Sequence, residues 1–290
     1  MKNYGINMKL WDYHIHSRLC RHAKGNLEEY VKAAINKNLS EIGFSEHIPY
    51  EYLPISPNIP REEYGMPEKE LQYYFTEIER LQAIFKDEIV IKTGMEVDYF
   101  EWSENEVIKF LEQYRDKWDY IIGSIHMIDS PNFGIWPVDD NRYSKYSEIG
   151  VDDVYYQYIE QLASLIETGE YDILGHIDLP KKNGNRPQNT KRYYLLMENL
   201  LDKIKTKEMA VELNTAGARK PIEEYYPDKE ILRIISEKKI PMIISSDAHS
   251  PMEVGYDFNN AVALLEKNDV TNLCKFTKRK KELVKLNDLI

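Results

Sequence analysis

Leu10-Trp11-Asp12-Tyr13-His14-Ile15-His16 reads as a buried β-strand whose end delivers two imidazoles to one place. Residues two apart on a strand share a side, so His14 and His16 can face one metal while Ile15 turns into the packing layer. A His-x-His pair alone fits a surface or structural role equally well. Its weight comes from recurrence: apolar, β-rich runs follow at Glu41–Phe44, Ile89–Thr93, Tyr120–Ser124, Asp172–Gly175, Ala210–Leu213 and Pro241–Ser245, which with Leu10–His14 makes seven strands. Helical patterns lie between them. The clearest has Leu27, Tyr30, Val31, Ala34 and Ile35 on one stripe, with Asn26 and Glu29 as a cap and its partner. Others are expected near Glu68–Phe85, Glu104–Tyr114, Val154–Thr168, Arg192–Lys205, Asp228–Lys238 and Asn259–Glu266. Alternation of this kind is that of an α/β architecture.

The remaining candidate ligands sit just past the ends of those runs. They are His22 in Cys20-Arg21-His22-Ala23, His47 in Ser45-Glu46-His47, Glu96 in Gly94-Met95-Glu96, His126 in Ser124-Ile125-His126, His176 in Gly175-His176-Ile177, and Asp247 and His249 in Ser246-Asp247-Ala248-His249. If the strands are parallel, their ends share one rim, where barrel enzymes place their active sites. All seven histidines of the chain are used by this pattern. Imidazole and carboxylate suit Zn, Mn or Fe, and Glu96 can bridge two ions, so a cluster of metals is expected rather than one. Cys20 reads as a small buried residue, and His22 alternatively as a loop histidine. Asp98 and Asp178 follow site positions by two and either orient ligands through hydrogen bonds or bind metal themselves.

Composition narrows the function. The 290 residues are 42% apolar and 30% charged with no Pro/Gly/Ser-rich linker, so one domain spanning 1–290 is expected. A net charge of −11 argues against a general nucleic-acid binder, yet leaves room for a small phosphorylated substrate wherever cations and metals reverse the local sign. No run approaches the length of a membrane span, the N-terminus lacks a signal-peptide core, and the two cysteines are far apart, so a cytoplasmic protein off the membrane is expected. The basic run Lys278-Arg279-Lys280-Lys281 reads as a solvated helix face. The segment Asp129–Tyr146, rich in Pro, Asn, Asp and aromatic residues, reads as a long loop placed to cover the site.

The ordered set of ligand positions resembles the PHP (polymerase and histidinol phosphatase) family over nearly the whole chain. Within it, Cys20-Arg21-His22-Ala23-Lys24-Gly25, Gly43-Phe44-Ser45-Glu46-His47-Ile48-Pro49, the run Glu212–Pro221 and the Tyr226-Pro227 pair are most similar to the monofunctional histidinol-phosphate phosphatases. The resemblance implies a distorted, TIM-barrel-like (β/α)7 barrel and three divalent ions. Carried over, His14, His16, Glu96 and Asp247 would hold one ion, Glu96, His126 and His176 a second, and His22, His47 and His249 a third. The implied reaction is hydrolysis of L-histidinol phosphate in L-histidine biosynthesis. Arg219 would bind the phosphate, with Lys181 or Lys182 assisting where such enzymes often carry arginine, and Asp247 or His249 would move the leaving group's proton. Competing readings are a PHP phosphoesterase for another small ester or nucleotide, a metal-dependent amidohydrolase, and a non-catalytic metal-binding domain.

Overall fold

Hydrophobic periodicity decides the helices in the computed structural model, which describes residues 9–55 and 59–289. After the short strand β1 (Trp11–Asp12), helix α1 (Leu27–Asn36) buries Leu27, Tyr30, Val31 and Ala34. Its capping box forms as expected: Asn26 Oδ1 accepts from Glu29 N at 3.1 Å and Glu29 Oε2 from Asn26 N at 2.7 Å. The chain continues through β2 (Glu41–Phe44), α2 (Leu71–Ile84), β3 (Val90–Asp98), α3 (Glu104–Gln113) and β4 (Tyr120–Ser124). The hairpin β5 (Met127–Ser130) and β6 (Gly134–Pro137), α4 (Tyr146–Ile149), α5 (Val151–Thr168) and β7 (Ile173–Leu174) follow. Last come α6 (Thr190–Thr206), β8 (Ala210–Asn214), α7 (Lys229–Lys238), β9 (Met242–Ser245), α8 (Phe258–Lys267), β10 (Asn272–Thr277) and β11 (Lys280–Lys285).

The seven expected strands pair in parallel in the order β1-β2-β3-β4-β7-β8-β9. The ring closes at its upper edge, where Ala248 N donates to His14 O at 3.2 Å and His16 N to Ala248 O at 2.9 Å. Asp12 strengthens that seam by accepting from the N–H and hydroxyl of Ser246 and from Gly255 N. With so little β1–β9 pairing the barrel is distorted, and it is the (β/α)7 barrel that the family resemblance implies. Tyr120 shares its face of β4 with Ser124, and Gly94 shares its face of β3 with Glu96. A Cβ on Gly94 would come within 2.4 Å of the Tyr120 ring and one on Gly43 within 2.3 Å of its hydroxyl, so both glycines make room for it. Buried apolar side chains from Leu10 to Leu289 form one continuous cluster. Among the described residues no helix is long and apolar enough to cross a membrane.

Two segments depart from expectation. The basic run at 278–281 is no helix face but the turn and first residues of an antiparallel hairpin, β10–β11, that lies across the N-terminal ends of the strands. Lys278 N donates to Asp119 Oδ1 (3.0 Å), Arg279 N to Asp119 O (2.9 Å), and Arg279 Nε to Asp172 Oδ2 (2.8 Å). The segment 129–146 is not a plain loop either. It starts in the β5–β6 hairpin, is pinned by Trp136 Nε1 donating to Ser130 Oγ (2.9 Å) and by Tyr146 Oη donating to Val138 O and Pro180 O, and brings residues 139–142 to the rim.

Asp119 is 7% exposed and also accepts from Thr93 N at 3.1 Å, so it joins β3, β4 and the hairpin turn. Replacing Asp119 with Ala strands two backbone donors and should lower the unfolding free energy by about 2–4 kcal/mol. Urea denaturation with an unchanged slope would verify it.

Candidate metal centre

Each ligand candidate except His22 lies in or just beyond the C-terminal end of a barrel strand; His22 follows the short turn at Arg18–Cys20. Glu96, on β3, is at the centre and 1% exposed. Its Oε2 is 3.3 Å from His14 Nε2, 3.3 Å from His16 Nε2 and 3.1 Å from His47 Nδ1. Its Oε1 is 3.0 Å from His176 Nε2 and 3.7 Å from His126 Nε2. The two oxygens thus divide five imidazoles into two groups. Asp247 Oδ1 stands 3.6 Å from His16 Nε2, 3.8 Å from His14 Nε2 and 3.4 Å from His249 Nδ1, with its backbone in the left-handed region at φ 49°. The His22 ring lies 5.1 Å from that of His47 and 5.0 Å from that of His249.

The arrangement passes a test for metal ligation on its own chemistry. His14 Nε2, both nitrogens of His16, His176 Nδ1 and Glu96 Oε2 are buried without hydrogen-bond partners among the described residues. Buried polar atoms are otherwise almost always paired, so such a concentration marks places for ions. Ligand atoms of His14, His16 and Glu96, of His14, His176 and Asp247, and of His16, His47 and His249 each lie within 4.8 Å of one another. Burial and the neighbouring His47 and His249 hold His16 well below the usual histidine range. Burial likewise brings His22 to about 3 and His249 to about 4. Those rings keep free lone pairs. Burial opposes the charge of Glu96 and Asp247, but the surrounding histidines, His14 foremost, hold both carboxyls well below their ordinary values. Burial also opposes charge on His14, and Glu212, Glu96 and Asp247 outweigh it. Neutral imidazole beside carboxylate is the donor set of Zn, Mn and Fe.

Behind these groups lies a supporting layer, only part of which the sequence reading anticipated. Asp98 is 3.1 Å from His126 Nδ1 through either oxygen and accepts from His126 N at 2.8 Å, so it orients that ring. Asp178 instead accepts from Asp228 N and pairs with Lys181 through Oδ2, while its buried Oδ1 has no hydrogen-bond partner among the described residues. Glu212 was missed. Its carboxylate lies 2.8 Å from His14 Nδ1 and accepts from His176 N (2.6 Å), Asn214 Nδ2 (2.9 Å) and Ser245 Oγ (2.6 Å). The available signal was a charged residue inside the apolar run of β8. Cys20 is fully buried, and burial pushes its thiol above the usual range.

Above the ligands opens a cavity of about 690 Å³ lined by His22, His47, His126, His176, Asp247 and His249, and by the loops around them. The assignment of Lys181 to phosphate is corrected here. In the turn Leu179–Asn183 its Nζ points inward to Asp178 Oδ2 (2.8 Å) and Tyr225 O (2.7 Å), and the side chain is 2% exposed. Lys182, the next residue, does line the cavity and pairs with Asp139 at 2.7 Å. Lys220 also lines it, was not singled out from sequence, and has no ion-pair partner among the described residues. Burial and the nearby Lys182 lower its pKa, the mark of a cation in an already positive corner. Arg219 stands behind this wall. Its Nη2 donates to Ser246 O (2.8 Å) and Asp247 O (3.3 Å), bracing the Asp247 turn, while buried Nη1 is unpartnered.

With this geometry in view, comparison with known proteins is direct. The family model for the PHP domain matches residues 12–216. The chain is 35% identical over 254 residues to a probable histidinol-phosphatase of Deinococcus radiodurans, covering 87% of this chain and 91% of the relative. It is 30% identical over 262 residues to the histidinol-phosphatase of Bacillus subtilis, covering 87% and 97%. The fold superposes with a TM-score of 0.78, at 23% identity and over 94% and 99% of the two chains, on the histidinol phosphate phosphatase of Lactococcus lactis, a crystal structure in complex with Zn, L-histidinol and phosphate. The chain belongs to the PHP family, in the group of the histidinol-phosphatases.

Proposed function

We propose that this protein hydrolyses L-histidinol phosphate to L-histidinol and inorganic phosphate, as a cytoplasmic enzyme of L-histidine biosynthesis built as one PHP domain across 1–290. The observation that carries this reading is Glu96 buried among five imidazoles beneath a cavity with a cationic wall. His14, His16, Glu96 and Asp247 would hold one divalent ion, Glu96, His126 and His176 a second, and His22, His47 and His249 a third, with Zn, Mn or Fe fitting the donors. Bound there, such ions lower the pKa of water to about 7 and draw charge from phosphoryl oxygens.

The chain's own residues do the rest. Lys182 and Lys220 meet the phosphoryl group from the cavity wall, and Arg219 adds its charge from behind while fixing the Asp247 turn. Asp247 or His249, both on the cavity wall, takes up the proton released by the attacking water and passes it to the leaving alkoxide. At the mouth, Glu63 and Asp140 share Arg142 as counter-ion, leaving a surplus negative charge that suits the substrate ammonium. Tyr64 Oη donates to Asp140 Oδ2 at 3.2 Å and holds that carboxylate in place.

Phosphate release by metal-replete protein should strongly favour L-histidinol phosphate over nucleotides and sugar phosphates, vanish on chelation and return with metal. Broad hydrolysis without that preference would sink the substrate assignment. Replacing Glu212 with Ala should weaken metal binding roughly 10–100-fold by freeing the His14 ring, as read by metal content after dialysis against graded chelator. Lys220→Met should raise KM for the phosphate ester about tenfold or more with little change in metal content, the loss expected for one charge-assisted contact.

A further inference from the structure

Among the described residues seven tyrosines are at most 1% exposed, and all but one follow a single rule. Tyr13 donates its hydroxyl to Glu41, Tyr30 to Lys24 O, Tyr74 to Phe44 O and Gly94 O, Tyr120 to Phe44 O, Tyr155 to Asn185 O and Tyr158 to His176 O. Tyr226 is equally buried, at 1% exposure, yet its Oη has no partner among the described residues. An unmet buried hydroxyl is costly and rare, so its retention needs a reason. This one belongs to a residue of the active-site cavity wall, beside His176, Lys182, Ala216, Lys220 and Asp247.

The ring has little freedom to seek a partner elsewhere. Tyr226 N donates to Asn214 O at 2.9 Å and Asn214 N to Tyr226 O at 2.7 Å, which fastens its backbone to the end of β8. One ring face is covered by Lys181 Nζ, 5.3 Å from the centroid, and the His176 ring meets it edge-on at 6.3 Å. A Cβ on Gly217 would come 1.9 Å from Glu224 O and 3.1 Å from Tyr226 Cε2, so that glycine lets the segment carrying Tyr226 pass close against the turn after β8. The buried pair of Lys181 with Asp178 therefore has a use although it never reaches the cavity: it backs the ring.

We propose that Tyr226 is a substrate-binding residue whose Oη donates a hydrogen bond to a phosphoryl oxygen of the ester bound in the cavity that Lys182 and Lys220 also line. This rests on the reading of the cavity as a phosphate-ester site. A phenol is a neutral, directional donor at the pH of any cytoplasm. Among flexible lysines it fixes the orientation of the phosphoryl group rather than merely attracting it.

The test is Tyr226→Phe in metal-replete protein, with inorganic phosphate and L-histidinol phosphate as probes and metal content and Tm measured alongside. Removing an unmet hydroxyl while keeping the ring should leave metal content unchanged and Tm equal or higher. The inhibition constant of phosphate and the KM of the ester should both rise about tenfold, the loss of one hydrogen bond to a charged oxygen. Constants within twofold of the parent would overturn the proposal, as would a Tm several degrees lower, which would mean that the hydroxyl serves the fold through a bound water. If the parent protein fails to turn over L-histidinol phosphate, the functional reading falls alone. Calorimetric binding of inorganic phosphate to parent and variant then still decides the role of Tyr226.

Discussion

Everything at the upper edge of this barrel is arranged around one buried carboxylate. An isolated ionised Glu96 at 1% exposure would be strongly unfavourable, and each of its two oxygens accordingly faces imidazoles from different strand ends, close enough to share an ion with them. The backbone enforces the meeting: Glu96 N donates to Glu46 O and Ile48 N to Glu96 O, so the ladder between β3 and the segment after β2 also sets His47 against Glu96. On the other side of β3, the β4 register places Ile122 opposite Glu96, and two residues on Ser124 Oγ donates to Glu96 Oε1 at 2.6 Å. Strand register and ligand geometry are thus one constraint.

The opposite end of the barrel carries the stability that the rim forgoes. There Asp119, Asp172 and Glu41 are each matched by groups of the C-terminal hairpin, through Lys278 N, Arg279 and Lys275. At the rim, by contrast, polar atoms of His14, His16, His176, Glu96, Arg219 and Tyr226 are left unmet, and Asp247 keeps a left-handed backbone. Separation of this kind is general in such barrels, where one face answers to chemistry and the other to folding. Here it explains why the two sets of buried charges look so different: one is internally satisfied, the other awaits partners.

The cavity is asymmetric in charge. Lys182, Lys220 and Arg219 cluster near Asp247, with Asp139 beside Lys182 and Glu253 beside Arg219, while Glu63 and Asp140 face the mouth with Arg142 between them. A ligand carrying both a phosphate and an ammonium matches that polarity better than a polyanion does. The overall charge of −11 repels polyanions at long range while leaving the local field to the cavity.

The sequence by itself determined the seven strands and the histidines and carboxylates at their ends. A His-x-His pair, single histidines and acids at the ends of apolar runs, and helices capped between them are local signals, and strand-end position survives whatever the loops do. Other decisions were non-local. Lys181 and Lys182 are indistinguishable as letters, but in a turn of three residues per revolution adjacent side chains diverge by roughly 120°, so one pairs with Asp178 while the other reaches the cavity. The run 278–281 looked like a solvated face because its partners, Asp119 and Asp172, lie more than a hundred residues away. Glu212 and Tyr226 gained their meaning only when β8 brought them beside His14 and His176, because what a buried polar group does depends on which partners the fold supplies and which it withholds.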